Sequence, residues 1–249
     1  MAEQPTAERK LELPTPALRE PLLVFLVVIV LLGVLARLRF VPFIAENLGA
    51  LAILPFVYLP AWILWKKRRD FRAYGISWQD FWKHLGAGLL LCLVVLPAFW
   101  LGYHLYGTML CGHDFTLALP EDFLERFVGN VLVIALPEEF LFRGYLQTHT
   151  DLRWTGGIKI FGARVGWSAV VVSALFALLH LATDLAPFKL GVFFPSLLFC
   201  WLKARTGSIV PGIVFHGLAN VMMNTLEASY GIVGICAPVT RWWFETLWF

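Results

Sequence analysis

The apolar stretches of this sequence hold a small set of side chains able to do chemistry. One stretch reads Phe127-Val-Gly-Asn-Val-Leu-Val-Ile-Ala-Leu-Pro-Glu-Glu-Phe-Leu-Phe-Arg143. A charge at mid-bilayer costs on the order of 2.5–3.5 kcal/mol on insertion scales, so three ionisable groups in such a helix need a reason. Glu139 and Arg143 stand at i and i+4 with the acid first, the favourable order for a pair on one helix face. Glu138 is turned about 100° from Glu139 on a helix, which leaves it free of that pair and able to point into a cavity. Pro137 has no N–H and disturbs the helix just before the acids, opening a local gap for water. Two further apolar stretches each carry a histidine: His180, four residues after Phe176, and His216, which shares a helix face with Asn220.

A carboxylate held away from bulk water is a competent general base, and beside an imidazole it can hold and deprotonate a water. A second imidazole and a carboxamide can donate hydrogen bonds to a developing oxyanion. That set suffices for peptide hydrolysis without a covalent intermediate. One Glu and two His are equally a common zinc set with an open position, and the spacing leaves the two chemistries open. A non-catalytic scaffold or immunity protein holding a peptide in the same cavity is a third reading. A proton-coupled transporter fits less well, because the other spans lack charge. Other intramembrane protease signatures are missing from the sequence: there is no HExxH, no Gly-x-Ser-Gly, and Asp184 is the only aspartate near a span.

These residues need elements that lie in a bilayer. Of 249 residues, 59% are hydrophobic and 15% charged, against roughly 45–50% and 25% in soluble domains; the mean hydropathy is +0.73. This excludes a soluble globular protein, a disordered tail and a nucleic-acid module. The expectation is an all-α polytopic membrane bundle of about seven to eight transmembrane helices. The expected spans are 21–36, 48–65, 85–106, 127–142, 165–183, 188–202, 208–227 and, weakly, 230–249, the last either crossing or lying in the interface. Residues 1–20 read as a cytoplasmic arm and 21–249 as one transmembrane domain, with no soluble domain. Lys66, Lys67, Arg68, Arg69 and Arg72 place the loop after the second span in the cytoplasm, and Phe71–Trp82 reads as an interfacial segment. The basic loops around Lys159 and Lys203 agree, whereas Arg37 and Arg39 fall on the outer side. The four cysteines read as small buried hydrophobes, and His84, His104, His113 and His149 receive no role.

Three motifs, in order on separate spans, resemble those of the CAAX-protease and bacteriocin-processing family of intramembrane proteases: Glu138-Glu139-x-x-x-Arg143, Phe176-x-x-x-His180 and His216-x-x-x-Asn220. The match covers about 127–227, and the first three spans carry no motif. The resemblance implies a helical fold with a conical, water-accessible cavity and a glutamate-type endopeptidase without a cofactor, zinc remaining the alternative. It implies that Glu138 and His180 activate water, that His216 and Asn220 stabilise the oxyanion, and that Glu139, Arg143 and Phe176 support them. The implied partners are the lipid bilayer and a membrane-anchored protein or peptide, either a prenylated CAAX tail or a C-terminal sorting anchor. The implied location is the plasma membrane of a prokaryote. Glu138 lies eleven residues into its expected span, roughly 16 Å at 1.5 Å per residue, and His180 lies near the outer end of its own. That geometry leans towards an outward-opening site.

Overall fold

The structure is a computed structural model that describes residues 14–233 and 236–238. Most of the expected arm (1–13), and most of the segment read as a weak last span (230–249), lie outside the described residues. The described chain is mostly helical (76%), with seven helices in all. They are α1 (Arg19–Arg37), α2 (Pro42–Lys66), α3 (Phe81–Leu110), α4 (123–153), α5 (Trp167–Asp184), α6 (Pro187–Thr206) and α7 (Val210–Tyr230). Five of these, α1, α2, α3, α5 and α6, are long and apolar enough to cross a membrane. The chain is an integral membrane protein. The expected count of seven to eight spans is not reached on that measure. The shortfall has a physical reason: α4 contains Glu138, Glu139 and Arg143, while α7 contains His216, Asn220, Asn224 and Glu227. The two helices with the most polar interiors are the two that carry most of the candidate site.

α4 is not a regular α-helix. It widens into π-helical turns at Gly129–Ala135 and Phe140–Gln147, with a single α-turn, Leu136–Glu139, between them. Pro137 lies in that central turn and contributes no amide to the ladder. Such wide turns are sparse in proteins and concentrate at functional sites. α7 packs along α3 and the first wide turn of α4, and α5 packs against α6 and α1. The α3–α7 contact depends on Gly88, where a Cβ would lie 2.9 Å from the Pro211 carbonyl oxygen.

Contacts at the helix ends sort the bundle into two faces. At one, the Glu20 carboxylate at the start of α1 receives Lys67, Arg69 (2.5 Å) and the Tyr145 hydroxyl (2.8 Å). This face joins the start of α1, the basic loop after α2 and the end of α4. Arg69 also reaches Tyr74 and His149, both at 3.2 Å, and His149 Nδ1 donates to the Thr15 carbonyl. His149, given no role from sequence, is therefore a buried member of a polar cluster. Of the expected interfacial segment, Tyr74 is buried in this cluster, while Trp78 and Trp82 are exposed. The loop between α4 and α5 is a short antiparallel hairpin, β1 (Ile158–Ile160) with β2 (Ala163–Val165), held to α6 by a bond from Trp201 Nε1 to the Ile160 carbonyl.

The opposite face corrects two readings. Cys111, just after α3, and Cys236, just after α7, form a disulfide, so these two are not simple buried hydrophobes; Cys92 and Cys200 are free and buried. Disulfides persist in oxidising compartments, and this one lies at the face opposite the basic loop after α2. Beyond α7 the chain forms strand pairing, β3 (Ile232–Val233) against β4 (Ala237–Pro238), so the first part of 230–249 is not helical. The discordant Arg37 is accounted for by its contacts. Its guanidinium donates to the Ala182 and Thr183 carbonyls at the C-terminus of α5 (2.7 and 3.1 Å), and Arg39 lies 4.0 Å from Asp184. Basic side chains serve as C-terminal caps there, so these two report on α5 rather than on topology.

Candidate active site

The site is built where α4, α5, α6 and α7 meet. Glu138 and Glu139 occupy the short α-turn of α4, midway along the helix. Exposure is 4% for Glu138, 0% for Glu139 and Arg143, and 6% for His216, so these groups are almost wholly removed from solvent. Buried charges are tolerated only when paired and hydrogen-bonded, and the pairing here is specific. Arg143 Nη1 lies 3.2 Å from Glu139 Oε1, and Arg143 Nη2 donates to Ser196 Oγ at 2.8 Å. Two aromatic rings enclose the guanidinium, Phe176 at 4.6 Å and Phe199 at 4.7 Å, an arrangement that favours a cation over both faces.

His216 connects the two acids. Its Nδ1 is 3.1 Å from Glu139 Oε1 and its Nε2 is 3.8 Å from Glu138 Oε2. With Nδ1 donating to Glu139, the imidazole edge bearing Nε2 is directed at Glu138. Phe199 stacks on the ring at 4.8 Å and 18°, fixing that orientation. α7 can approach so closely because residue 212 is glycine: a Cβ there would lie 2.5 Å from Glu139 Oε2. Glu138 Oε2 is buried and makes no hydrogen bond among the described residues.

His180 comes from α5 and is partly buried. Its Nδ1 donates to the Phe176 carbonyl at 3.0 Å and its ring packs on Phe176 at 4.5 Å. Phe176 also packs edge-on to His216 at 6.1 Å, so both imidazoles border the same ring. The Phe-x-x-x-His spacing thus has a local cause: the i,i+4 bond fixes the tautomer and leaves Nε2 with its lone pair. Asn220 is half-buried one turn along α7 from His216.

Six of the seven residues singled out from sequence are joined by these contacts, and the seventh, Asn220, follows on the same face of α7. The imidazole within ion-pair distance of Glu138 is that of His216. Ser196, Phe199 and Gly212 were missed; α6 carries no ionisable group near its middle, and a lone serine, phenylalanine or glycine in an apolar run gives no signal. Among the described residues, no group of three or more His, Cys, Asp or Glu side chains is placed to hold a metal ion.

Residues 120–222 match the family model described as Type II CAAX prenyl endopeptidase Rce1-like. Neither curated proteins nor solved structures yield a match. The matched segment contains every side chain of the site, from Glu138 on α4 to Asn220 on α7. The site-bearing segment of this membrane protein is therefore similar to the type II CAAX prenyl endopeptidase family.

Proposed function

We propose that the protein is an intramembrane endopeptidase in which Glu138 activates a water for attack on a peptide bond. The observation that carries this reading is the Glu138 carboxylate: buried, uncommitted to Arg143, and 3.8 Å from His216 Nε2. Catalytic contacts are often long before substrate binds and tighten in the complex. Glu138 takes the proton of the attacking water as the water oxygen bonds to the scissile carbonyl carbon. The oxyanion that forms is met by donors from α7: the Asn220 amide and, when its second ring nitrogen also carries a proton, His216 Nε2–H. Collapse of the tetrahedral intermediate breaks the C–N bond, and Glu138 returns its proton to the leaving amine. His180, with Nδ1 held by the Phe176 carbonyl, offers Nε2 as an acceptor that orients the water. Glu139 and Arg143 hold His216 in place and do not enter the bond-making steps.

The family points to a membrane-associated prenylated protein as substrate, cleaved near its CAAX terminus. A C-terminal sorting anchor is the alternative, favoured if the cavity opens to the face that bears the disulfide. In proteoliposomes carrying a prenylated CAAX reporter, Glu138→Gln is expected to yield no cleaved product while the protein remains folded and inserted. Undiminished turnover by that variant refutes the reading. A chelator arm separates the two chemistries: loss of activity that zinc restores makes this a metalloprotease using the same side chains.

A further inference from the structure

No residue of the candidate active site lines the groove between α1 and the end of α2. It is a cavity of about 950 Å³. Its rim carries Arg19, Lys66, Lys67, Arg68 and Arg69. Its floor is formed by two apolar ridges at i,i+4 spacing: Leu23 and Val27 on α1, and Leu59 and Ile63 on α2. Glu20 occupies Lys67 and Arg69. Among the described residues, Arg19, Lys66 and Arg68 have no carboxylate partner, and all three are exposed. A second cavity of about 880 Å³ adjoins the first, shares Lys66, Arg68 and Arg69, and adds Arg72 with the exposed Trp65 and Trp78. Positive charge and interfacial tryptophans thus crown a groove whose walls are helices of membrane-spanning length.

We propose that this groove binds an anionic phospholipid. Arg19, Lys66 and Arg68 hold the headgroup phosphate, and an acyl chain lies between the ridges of α1 and α2. Charge complementarity selects the headgroup, since three exposed cations without a carboxylate partner among the described residues line the groove, Lys66 resting on the Trp62 ring. The apolar floor selects an amphiphile over a soluble acid, because a ligand without a hydrocarbon tail leaves Leu23, Val27, Leu59 and Ile63 unmatched. The basic end is also the face that the loop charges place in the cytoplasm, where anionic lipids concentrate basic clusters. Arg69 joins this rim to α4 through His149 and Glu20. The proposal stands independently of the protease reading.

The test uses the full chain purified in a neutral detergent. Thermal unfolding and native mass spectrometry are followed against added phosphatidylglycerol, phosphatidylcholine or inorganic phosphate. Phosphatidylglycerol is expected to raise the unfolding temperature and to remain bound, while the other two do neither. The triple variant Arg19→Gln/Lys66→Gln/Arg68→Gln leaves the Glu20 cluster intact and should unfold like the wild type in detergent alone. It should lose affinity for phosphatidylglycerol by about 100-fold, roughly fivefold per interfacial cation. Equal stabilisation by phosphatidylcholine, full stabilisation by inorganic phosphate, or undiminished phosphatidylglycerol binding by the triple variant overturns the proposal. A photo-crosslinker at Ile63 gives a readout in the otherwise native chain. Capture of phosphatidylglycerol over phosphatidylcholine supports the groove, and equal capture, or competition by a soluble acidic peptide, overturns it.

Discussion

Gly212→Ala adds a single methyl group to α7, yet it should disable the site from behind. The new Cβ would lie 2.5 Å from Glu139 Oε2 and 3.2 Å from its Cδ, where ordinary contact begins at 3.4 Å. The carboxylate must therefore retreat by roughly 0.9 Å or α7 must move away. The other oxygen of the same carboxylate lies 3.1 Å from His216 and 3.2 Å from Arg143, already near the long end of useful bonds. A shift of that size weakens both. The His216 contact is a hydrogen bond to a charged group, contributing about 1.5–3 kcal/mol, and the Arg143 contact is an ion pair, so the loss should be at least of that order. His216 is released at the same time, so turnover should fall along with stability. The assay is thermal or denaturant unfolding in micelles beside reporter cleavage. Glu139→Asp withdraws the carboxylate by one methylene and supplies the control: combined with Gly212→Ala, the double variant should be more stable than the sum of the singles by about 1 kcal/mol or more. A single variant within about 0.5 kcal/mol of wild type at full turnover, or strictly additive singles, refutes the reasoning.

Other perturbations address the supporting contacts. Ser196→Ala removes the oxygen that accepts from Arg143 Nη2 at 2.8 Å; it should cost about 1.5–3 kcal/mol in unfolding measurements, and an unchanged stability counts against the Arg143 seat described above. Cys111→Ser opens a disulfide spanning 125 residues; the loss of stability should reach at most about 4–5 kcal/mol, and the variant should become insensitive to a reductant that lowers the unfolding temperature of the wild type. Arg69→Gln leaves Glu20 with fewer donors and should cost about 1.5–3 kcal/mol without changing the cleavage site in the substrate, as read by mass spectrometry of the product.

The predominantly helical character and two local pairs of the candidate site were legible in the sequence, because they rest on composition and on helical periodicity. Glu139 and Arg143 pair at i,i+4, and Phe176 and His180 are joined at the same spacing by the Phe176 carbonyl. The convergence of α4 with α7 was legible only through the family motifs, since no local rule places His216 against Glu139. What escaped is what depends on distant partners. Ser196 and Phe199 acquire meaning only when α6 is laid against Arg143, and Gly212 only when α7 approaches α4. The Cys111–Cys236 bridge joins segments separated by most of the bundle. Arg37 read as a topological conflict because its partners, the last carbonyls of α5, are invisible to a count of loop charges.

The central claim is a division of labour between adjacent acids, with Glu138 performing the chemistry and Glu139 holding the machinery. Measuring turnover and unfolding together for Glu138→Gln and Glu139→Gln tests it most directly. Glu138→Gln should abolish cleavage with stability near that of the wild type, since Glu138 has no bond to Arg143. Glu139→Gln strands Arg143 in the interior without its counter-charge and should lose about 3–5 kcal/mol. Residual turnover by Glu138→Gln at the wild-type rate, or a Glu139→Gln protein as stable as the wild type, would contradict the account.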